Sequence, residues 1–321
     1  MKSLRQIYRL LRTYNCPHPV DVPSNFRLHN YGGNPLAQDF WLLRFMQVHG
    51  QLSNYNVSVF SVFGLREMIA LNRSEVKFFV ARENVHRSNW VEYDDLCLNE
   101  KSIDLSVGFD YNVDDDRYIR FPLWIMWLFP PDIDYNGIKA FCDRINNPQN
   151  SSYDNRKFCS LVTSHGDIGR KELFHEINAI DSIDSAGRFL HNCDDLKILF
   201  NDDKLRFLRQ YRFNLCPENS NTEGYCTEKI FEAISSGCVP IYWGSNNNPE
   251  PDVLNQDAIC FVDVGNKNTN TIIEHIRELN SNKNSYETFA KQPRLLPNAA
   301  DVIMRYIIDL EKKIRIIVKN R

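Results

Sequence analysis

The sequence lacks the features that define several classes of protein. It has no run of about 18 apolar residues, which excludes an ordinary membrane span. Its nine cysteines stand singly, without a Cys-x-x-Cys pair or a Cys/His cluster, so neither a zinc site nor a disulfide framework is predicted. The absence of G-x-x-x-x-G-K-[ST] and G-x-G-x-x-G motifs argues against an NTPase and a dehydrogenase. A net charge of −3 offers no global basic field, so nucleic acid is not an expected partner.

Both ends of the chain are basic and amphipathic. Residues 1–16 lack the apolar core of a signal peptide, and apolar residues recur at helical spacing within residues 4–12. Residues 302–310 form a similar apolar stripe, and a basic tail follows at 312–321. We expect each end to pack on the protein, with peripheral attachment to an anionic membrane surface as the alternative. Because scattered single cysteines are typical of a reducing compartment, we expect a cytoplasmic protein, with any peripheral contact on the inner face of the cytoplasmic membrane.

The order of elements predicts an α/β protein with two domains. The chain has 321 residues, enough for two separate cores, and its strands and helices alternate as in parallel sheets. Strands are predicted at 57–63, 76–81, 105–109, 157–163, 213–216, 239–243 and 258–262. Helices are predicted at 39–48, 171–180, 271–279 and 298–317. A polar stretch at 146–152 suggests a connection, so we predict domains at 1–150 and 151–321, with the last helix free to pack back on the first.

The stretch from residue 211 to 245 is the most informative part of the chain. It reads YRFNLCPENSNTEGYCTEKIFEAISSGCVPIYWGS, which predicts a strand, a polar loop, a helix with Thr227 as N-cap and a second buried strand. Lys229 in the first turn opposes the helix dipole, a conflict that a bound phosphate would resolve. The alternative is an ordinary strand–loop–helix unit with a solvated lysine.

This stretch closely resembles the donor-binding signature of the α-1,3/4-fucosyltransferases, glycosyltransferase family 10. The positions that fall on the pattern are Tyr211, Phe213, Glu218, Asn219, Tyr225, Thr227, Glu228, Lys229, Pro240 and Gly244. Further matches lie at 76–84, 107–124 and 157–171, so the resemblance extends across most of the chain. It implies a GT-B-like fold, two Rossmann-like parallel-sheet domains facing a cleft, with the acceptor on the N-terminal domain and GDP-fucose on the C-terminal domain.

The resemblance also implies a set of site residues. The implied donor-binding residues are Arg170, Lys171, Asn219, Tyr225, Glu228 and Lys229. Arg170 or its neighbour Lys171 would contact the donor diphosphate, and Glu228 would bond the ribose or support charge developing on fucose. Glu83, at the end of a predicted strand, would be the catalytic base on the acceptor side, although Arg82 departs from the glycine of some bacterial relatives.

The predicted function is an inverting α-1,3-fucosyltransferase that moves L-fucose from GDP-fucose to O3 of an N-acetylglucosamine-type residue of a glycan or glycolipid. It resembles bacterial members that decorate lipopolysaccharide or capsule glycans, and it requires no cofactor and no metal. Two alternatives remain, a glycosyltransferase with a different donor or acceptor and a catalytically silent glycan-binding protein. A metal-dependent reading would use the aspartates at 114–116 or at 132 and 134, which also suit solvated turns.

Overall fold

The computed structural model describes residues 7, 13, 14, 16–31 and 35–320 of the chain. Apart from Ile7, the amphipathic stretch predicted at residues 4–12 lies outside these described residues. The chain divides into two compact units, Met1–Tyr135 with Ile303–Arg321, and Asn136–Val302. We call these the first unit and the second unit. In the residues described, no helix has both the length and the apolar character needed to cross a membrane.

The units differ in extent from the two predicted domains. Residues 136–150, assigned from sequence to the first domain, belong to the second unit. Asn146 shows the physical reason, because its side-chain oxygen accepts the N–H groups of Arg294 and Leu295, each at 2.9 Å. Residues 303–321 belong to the first unit, which makes the first unit discontinuous in sequence.

The first unit is built on a five-stranded parallel sheet whose strands follow one another in chain order. Its strands are β1 (Phe26–His29), β2 (Val57–Phe60), β3 (Val76–Val80), β4 (Leu105–Gly108) and β5 (Tyr118–Arg120). Every residue of β2, β3 and β4 is buried, as expected for a parallel sheet covered on both faces. The early helices are α1 (Trp41–Val48), α2 (Glu67–Leu71) and α3 (Leu123–Leu128), with short 3-10 turns at Ala37–Phe40 and Val91–Tyr93.

The second unit is built on a second five-stranded parallel sheet, in the order β10-β9-β8-β6-β7. Its strands are β6 (Lys157–Leu161), β7 (Ile183–Ser185), β8 (Tyr211–Leu215), β9 (Val239–Tyr242) and β10 (Cys260–Phe261). The helices are α4 (Tyr135–Ile145), α5 (Ile168–Asn178), α6 (Asp195–Ile198), α7 (Lys204–Leu208), α8 (Glu228–Ser235), α9 (Asn270–Ser281) and α10 (Lys283–Ala290). Further 3-10 turns lie at Pro148–Asn150, Ser245–Asn247 and Gln256–Ala258. The two parallel sheets confirm the predicted fold class.

The last helix, α11 (Ala299–Lys319), buries its apolar stripe. Ile303, Leu310 and Ile314 are all fully buried. Its basic residues have internal partners: Lys312 lies 3.3 Å from Asp309, and Arg315 forms an ion pair with Glu311. This geometry agrees with the expectation that the C-terminal amphipathic stretch packs on the protein.

Gly237 allows the chain to turn sharply from α8 into β9. Its φ of +75° is in the left-handed region that favours glycine at a helix C-terminus. A Cβ at this position would lie 2.0 Å from the Asn150 carbonyl oxygen. The turn therefore requires glycine both for its backbone conformation and for the close approach of a neighbouring chain segment.

Parallel strands place the candidate functional residues at two sheet edges. β3 and β4 are neighbours paired through Val80 and Val107, so the loops that follow them leave from the same edge of the first sheet. β6 and β8 are likewise paired through Leu161 and Leu215 in the second sheet. Ligands of open α/β sheets bind outside the carboxyl ends of the strands, which are the ends from which these loops depart.

Candidate active site

A fully buried carboxylate organises the start of α8. Glu218, just beyond β8, has a side chain with no exposed surface. Its Oε1 accepts the Thr227 N–H at 2.7 Å, and the Thr227 hydroxyl lies 2.9 and 2.8 Å from its two oxygens. Thr227 takes the N-cap position, as predicted, but its side chain makes no capping bond to the helix. Glu218 thus adds a negative charge at this helix N-terminus, where Glu228 also lies in the first turn.

Lys229 is held by the same carboxylate. Its Nζ lies 2.7 Å from Glu218 Oε2 and 2.8 Å from the Thr227 hydroxyl, and 18% of its side chain is exposed. Burial by itself lowers the pKa of Lys229, but the carboxylates of Glu218 and Glu228 outweigh it and raise the pKa above its ordinary value. Lys229 is therefore a charged, positioned ammonium. Glu218, which fell on the sequence pattern without a role, is the partner that offsets its conflict with the helix dipole.

Glu228 is kept ionised by two neighbouring lysines. Burial raises its pKa, yet the positive charges of Lys229 and Lys204 outweigh burial and lower the pKa below its usual value. Lys204 also forms an ion pair with Glu232 and joins Lys229 in lining a narrow recess at the ends of β6 and β8. Sequence reasoning missed Lys204, because nothing in its local pattern distinguishes it from a solvated lysine at a helix start.

Arg170 connects the loops that follow β6 and β8. Its backbone N–H bonds the N-cap carboxylate of Asp167 at 2.9 Å, and its side chain is almost fully buried. One guanidinium nitrogen donates to the His165 carbonyl at 2.9 Å, and the other donates to the Glu218 carbonyl at 2.5 Å. The same nitrogen lies 3.4 Å from Asn219 Oδ1, so Arg170, Asn219 and the Glu218 backbone form one group.

The two remaining predicted donor-binding residues, Lys171 and Tyr225, differ in how exposed they are. Lys171, the neighbour of Arg170, is exposed to solvent on α5. Tyr225, in the loop that precedes α8, is 2% exposed, and its backbone carbonyl accepts the Ser245 hydroxyl at 2.8 Å. A direct ligand contact from Tyr225 therefore requires this loop to uncover it.

Glu83 lies in the first unit, in the loop that follows β3, where it is half-buried. The residue before it, Arg82, forms an ion pair with the buried Asp39 and stacks over Tyr31 at 5.6 Å and Trp127 at 5.7 Å. This packing accounts for an arginine where some bacterial relatives have glycine. It also ties the chain on the N-terminal side of Glu83 to the body of the unit.

On the C-terminal side of Glu83, the loop is held by His86. The ring lies between two carboxylates, with Nδ1 bonded to Asp94 and Nε2 bonded to Asp110 at 2.5 Å. The hydrogen bond to Asp110 raises the pKa of His86, burial opposes it and Asp94 adds to it, giving a pKa of about 9. The imidazole is thus cationic at neutral pH. No local pattern indicated this cluster, since His86 and Asp110 are brought together by the pairing of β3 with β4.

Two of the aspartates considered as metal ligands have other surroundings in the structure. Asp115 pairs with Arg117 at 3.0 Å, and the Asp116 side chain is fully exposed. Within the described part of the chain, no group of three or more His, Cys, Asp or Glu side chains could hold a metal ion.

Two family models match the chain. The model described as glycosyltransferase family 10 (fucosyltransferase) C-term matches residues 153–294. The model described as alpha-(1,3)-fucosyltransferase FucT N-terminal domain matches residues 34–127. Between them they cover most of the chain, and the first contains all the residues of the Glu218, Lys229 and Arg170 group.

Curated relatives share sequence with the chain over part of their length. Alpha-(1,3)-fucosyltransferase FucT of Helicobacter pylori is 31% identical over 214 residues, which are 59% of this chain and 43% of that protein. Alpha-(1,3)-fucosyltransferase B of Drosophila melanogaster is 28% identical over 193 residues, which are 56% of this chain and 42% of that protein. The chain thus spans less than half the length of these relatives.

Solved structures of alpha1,3-fucosyltransferase share the fold. One matches with a TM-score of 0.58 at 21% identity, covering 96% of this chain and 97% of that one. Another, solved with GDP-fucose, matches with a TM-score of 0.51 at 22% identity, covering 80% of this chain and 77% of that one. At such identities the likeness establishes the fold alone, and that fold is the GT-B-like class predicted from the sequence.

Proposed function

Because the chain belongs to glycosyltransferase family 10, we propose that it is an inverting fucosyltransferase that transfers L-fucose from GDP-fucose to O3 of an N-acetylglucosamine-type residue. The family membership confirms the resemblance read from the sequence. The observation that carries the proposal is the group formed by Glu218, Lys229 and Arg170 at the carboxyl edge of the second sheet. Relatives named as alpha-(1,3)-fucosyltransferases support the linkage.

In this proposal the second unit binds the donor diphosphate. Cleavage of the bond to fucose leaves negative charge on the diphosphate, which positioned cations stabilise. Lys229 is such a cation, because Glu218 and Thr227 fix its ammonium and keep it charged. Arg170 is fixed by backbone carbonyls on two loops, so its guanidinium reorganises little during reaction. Both residues therefore suit stabilisation of the leaving group.

The other predicted donor residues take supporting roles in the proposal. Glu228, held ionised beside Lys229, supports the positive charge that develops on fucose or bonds the ribose. Asn219, next to the Arg170 guanidinium, bonds a phosphate or sugar hydroxyl. Tyr225 shapes the loop from inside and contacts the donor only if that loop opens, while exposed Lys171 adds long-range attraction for the diphosphate.

Glu83 is the proposed catalytic base. Inversion needs one group to take the proton of the attacking hydroxyl, and such a base contributes about 10²–10⁴ in rate. Glu83 follows a buried parallel strand and sits on a loop that Arg82 and His86 hold on its two sides. A carboxylate that is half-buried yet held in this way can receive a proton without a large rearrangement.

The donor assignment is tested by thermal protection and by transfer. GDP should raise the unfolding temperature according to RT ln(1 + [L]/Kd), and Lys229→Ala should abolish most of that protection. Lys267→Ala, an exposed lysine in the same unit, is the matched control. Radiolabelled GDP-fucose should then label a glycan panel containing N-acetylglucosamine. Better protection by UDP or ADP than by GDP would refute the donor assignment.

Two alternatives are separated by the same measurements. A related glycosyltransferase would transfer from another nucleotide sugar in a donor screen. A silent glycan-binding protein would bind members of the panel without releasing GDP. A cytoplasmic location with contact at the inner membrane face also stays a proposal, and co-sedimentation with anionic against neutral vesicles tests the membrane contact.

A further inference from the structure

A cavity of about 510 Å³ lies in the first unit, which supplies all the residues of its wall. It is bounded by the loop after β4, by β5 and by residues 309–316 of α11, with both polar and apolar side chains in its wall. Pockets that bind small molecules fall between about 300 and 1,000 Å³ and combine aromatic surface with a few polar groups. The cavity has both properties.

Its aromatic wall is fixed in place by an arginine. The Arg120 guanidinium lies between the rings of Tyr111 and Tyr306, at 4.1 and 5.3 Å from their centres. It also donates to the Tyr111 hydroxyl at 3.0 Å and to the Phe109 carbonyl at 3.0 Å. A ring held by both stacking and hydrogen bonding loses little conformational freedom when a ligand packs against it. Tyr111 is therefore a preformed contact surface.

Four of the five charged side chains in the wall have an opposite charge nearby, and the fifth, Arg120, donates to the Phe109 carbonyl and to two tyrosine hydroxyls. Lys312 lies 3.3 Å from Asp309, Lys313 donates to the Asp116 carbonyl at 2.7 Å, and Asp110 bonds His86 at 2.5 Å. A charged ligand would have to compete with these pairs, whereas a neutral ligand rich in hydroxyls can bond the donors and acceptors that remain. The side-chain amide of Asn112, which is exposed in the wall, offers both a donor and an acceptor. The chemistry favours a neutral sugar ring.

We infer that this cavity binds a sugar residue of the acceptor glycan other than the one that receives fucose. The inference rests on the proposed function and extends it to the acceptor. Asp110 connects the cavity to the loop of the proposed base, because its Oδ1 bonds His86, three residues after Glu83. Since β3 and β4 are adjacent, the cavity and Glu83 belong to the same sheet edge. A glycan that occupies both gains affinity from its second sugar.

The test compares the KM and kcat of two acceptors of different length, measured with the full-length chain. The probes are N-acetylglucosamine, which fills only the reacting position, and a tetrasaccharide of two N-acetyllactosamine units. Tyr111→Ala should raise the KM for the tetrasaccharide about tenfold and leave the KM for N-acetylglucosamine and the kcat unchanged. Tyr111→Phe, which keeps the ring, should retain most of the affinity. Lys319→Ala, exposed on the same helix outside the cavity, is the control.

An equal rise in KM for both probes, or no rise for either, would overturn the inference. If the unmodified chain transfers no fucose at all, the proposed function has failed, and glycan binding is then read directly by saturation-transfer NMR. Signal from the tetrasaccharide that is lost in Tyr111→Ala and kept in Lys319→Ala would still support the cavity as a sugar site. Absence of signal from the unmodified chain, or signal that Tyr111→Ala leaves unchanged, would refute it.

Discussion

The two units place charged side chains at equivalent edges of similar sheets, but they hold them differently. In the second unit, Glu218 is fully buried and binds Thr227 and Lys229 within one short segment. In the first unit, the His86 side chain is 30% exposed and joins Asp94 of its own loop to Asp110 of the loop after β4. The first arrangement is mostly buried and built from adjacent residues of one segment, whereas the second is partly exposed to water and joins two loops.

The difference has an energetic basis. Removing charge from water costs several kcal/mol per ion, so a buried carboxylate persists only when its partners are complete. Such a group then behaves as part of the fold, and its charge is fixed in position before a ligand arrives. Partly exposed pairs contribute about 1 kcal/mol or less, which leaves their loops able to adjust. Diphosphate recognition fits the rigid arrangement, and binding of varied glycans fits the adjustable one.

The largest expected effect separates the two units by the step that each serves. Glu83→Gln in the first unit should reduce transfer by about 10²–10⁴ and leave GDP affinity nearly intact, because it removes only the proton acceptor. Arg170→Ala in the second unit should weaken GDP binding and turnover together, since its charge acts before and during the reaction. Calorimetry with GDP beside initial rates distinguishes them. Equal loss of GDP affinity in both variants would assign Glu83 to the nucleotide site or to the fold.

The second largest effect concerns stability. Glu218→Ala leaves the Lys229 ammonium and the Thr227 N–H without their buried acceptor, and should lower the free energy of unfolding by about 3 kcal/mol. Denaturation by urea measures the change. The double variant Glu218→Ala with Lys229→Met should recover part of it, because the uncompensated charge is gone. If the double variant is less stable than Glu218→Ala alone, the ion pair is not the source of the loss.

A smaller effect should follow pH in the first unit. The folded pKa of His86 is about 9, above the ordinary value of 6.5, so its contribution to stability is complete below about pH 6.5 and is lost as pH rises through about 9. With the ring and Asp94 partly exposed, we expect about 1 kcal/mol across this range. Comparing the free energy of unfolding of His86→Gln with that of the unmodified chain isolates the contribution of His86. Parallel stability curves for the two proteins between pH 6 and 10 would contradict it.

The smallest expected effect is that of metal removal. With Lys229 and Arg170 facing the diphosphate in the proposal, EDTA should leave most of the turnover intact. Initial rates with and without chelator measure it. Complete loss in EDTA, restored by Mn²⁺, would mean that the second unit does not neutralise the leaving group by itself, and would bring Asp132 and Asp134 back into consideration.

The sequence allowed the architecture and the strand–loop–helix unit at 211–245 to be predicted because both rest on local patterns. Alternating apolar strands and helices predicted two parallel sheets, and the contiguous stretch 211–245 held Glu218, Thr227 and Lys229 within eleven residues of one another. The predicted strands mostly ran too far, as at 157–163 against the observed Lys157–Leu161. Apolar character marks burial, and burial continues beyond the last residue that pairs in the sheet.

What could not be predicted depends on contacts between distant segments. β1 and β7 are short and contain polar residues, so their place in a sheet is decided by their neighbours. His86 and Asp110 stand 24 residues apart and meet only after β3 and β4 pair. The partner of Lys229 was visible in the sequence, but a pattern match does not say which of its members turns inward. Tyr225, equally well matched, is buried.

The discontinuity of the first unit has a consequence for how the chain is made. Synthesis proceeds from the N-terminus, and domains generally fold as units while they emerge. Residues 136–302 form the second unit without a break, so it can fold as soon as they leave the ribosome. The first unit is mostly synthesised earlier, yet it lacks its part of α11 until residues 303–319 have been made. The unit whose synthesis begins first is therefore completed after the second unit, and the apolar surface that α11 covers stays exposed to water in the interval.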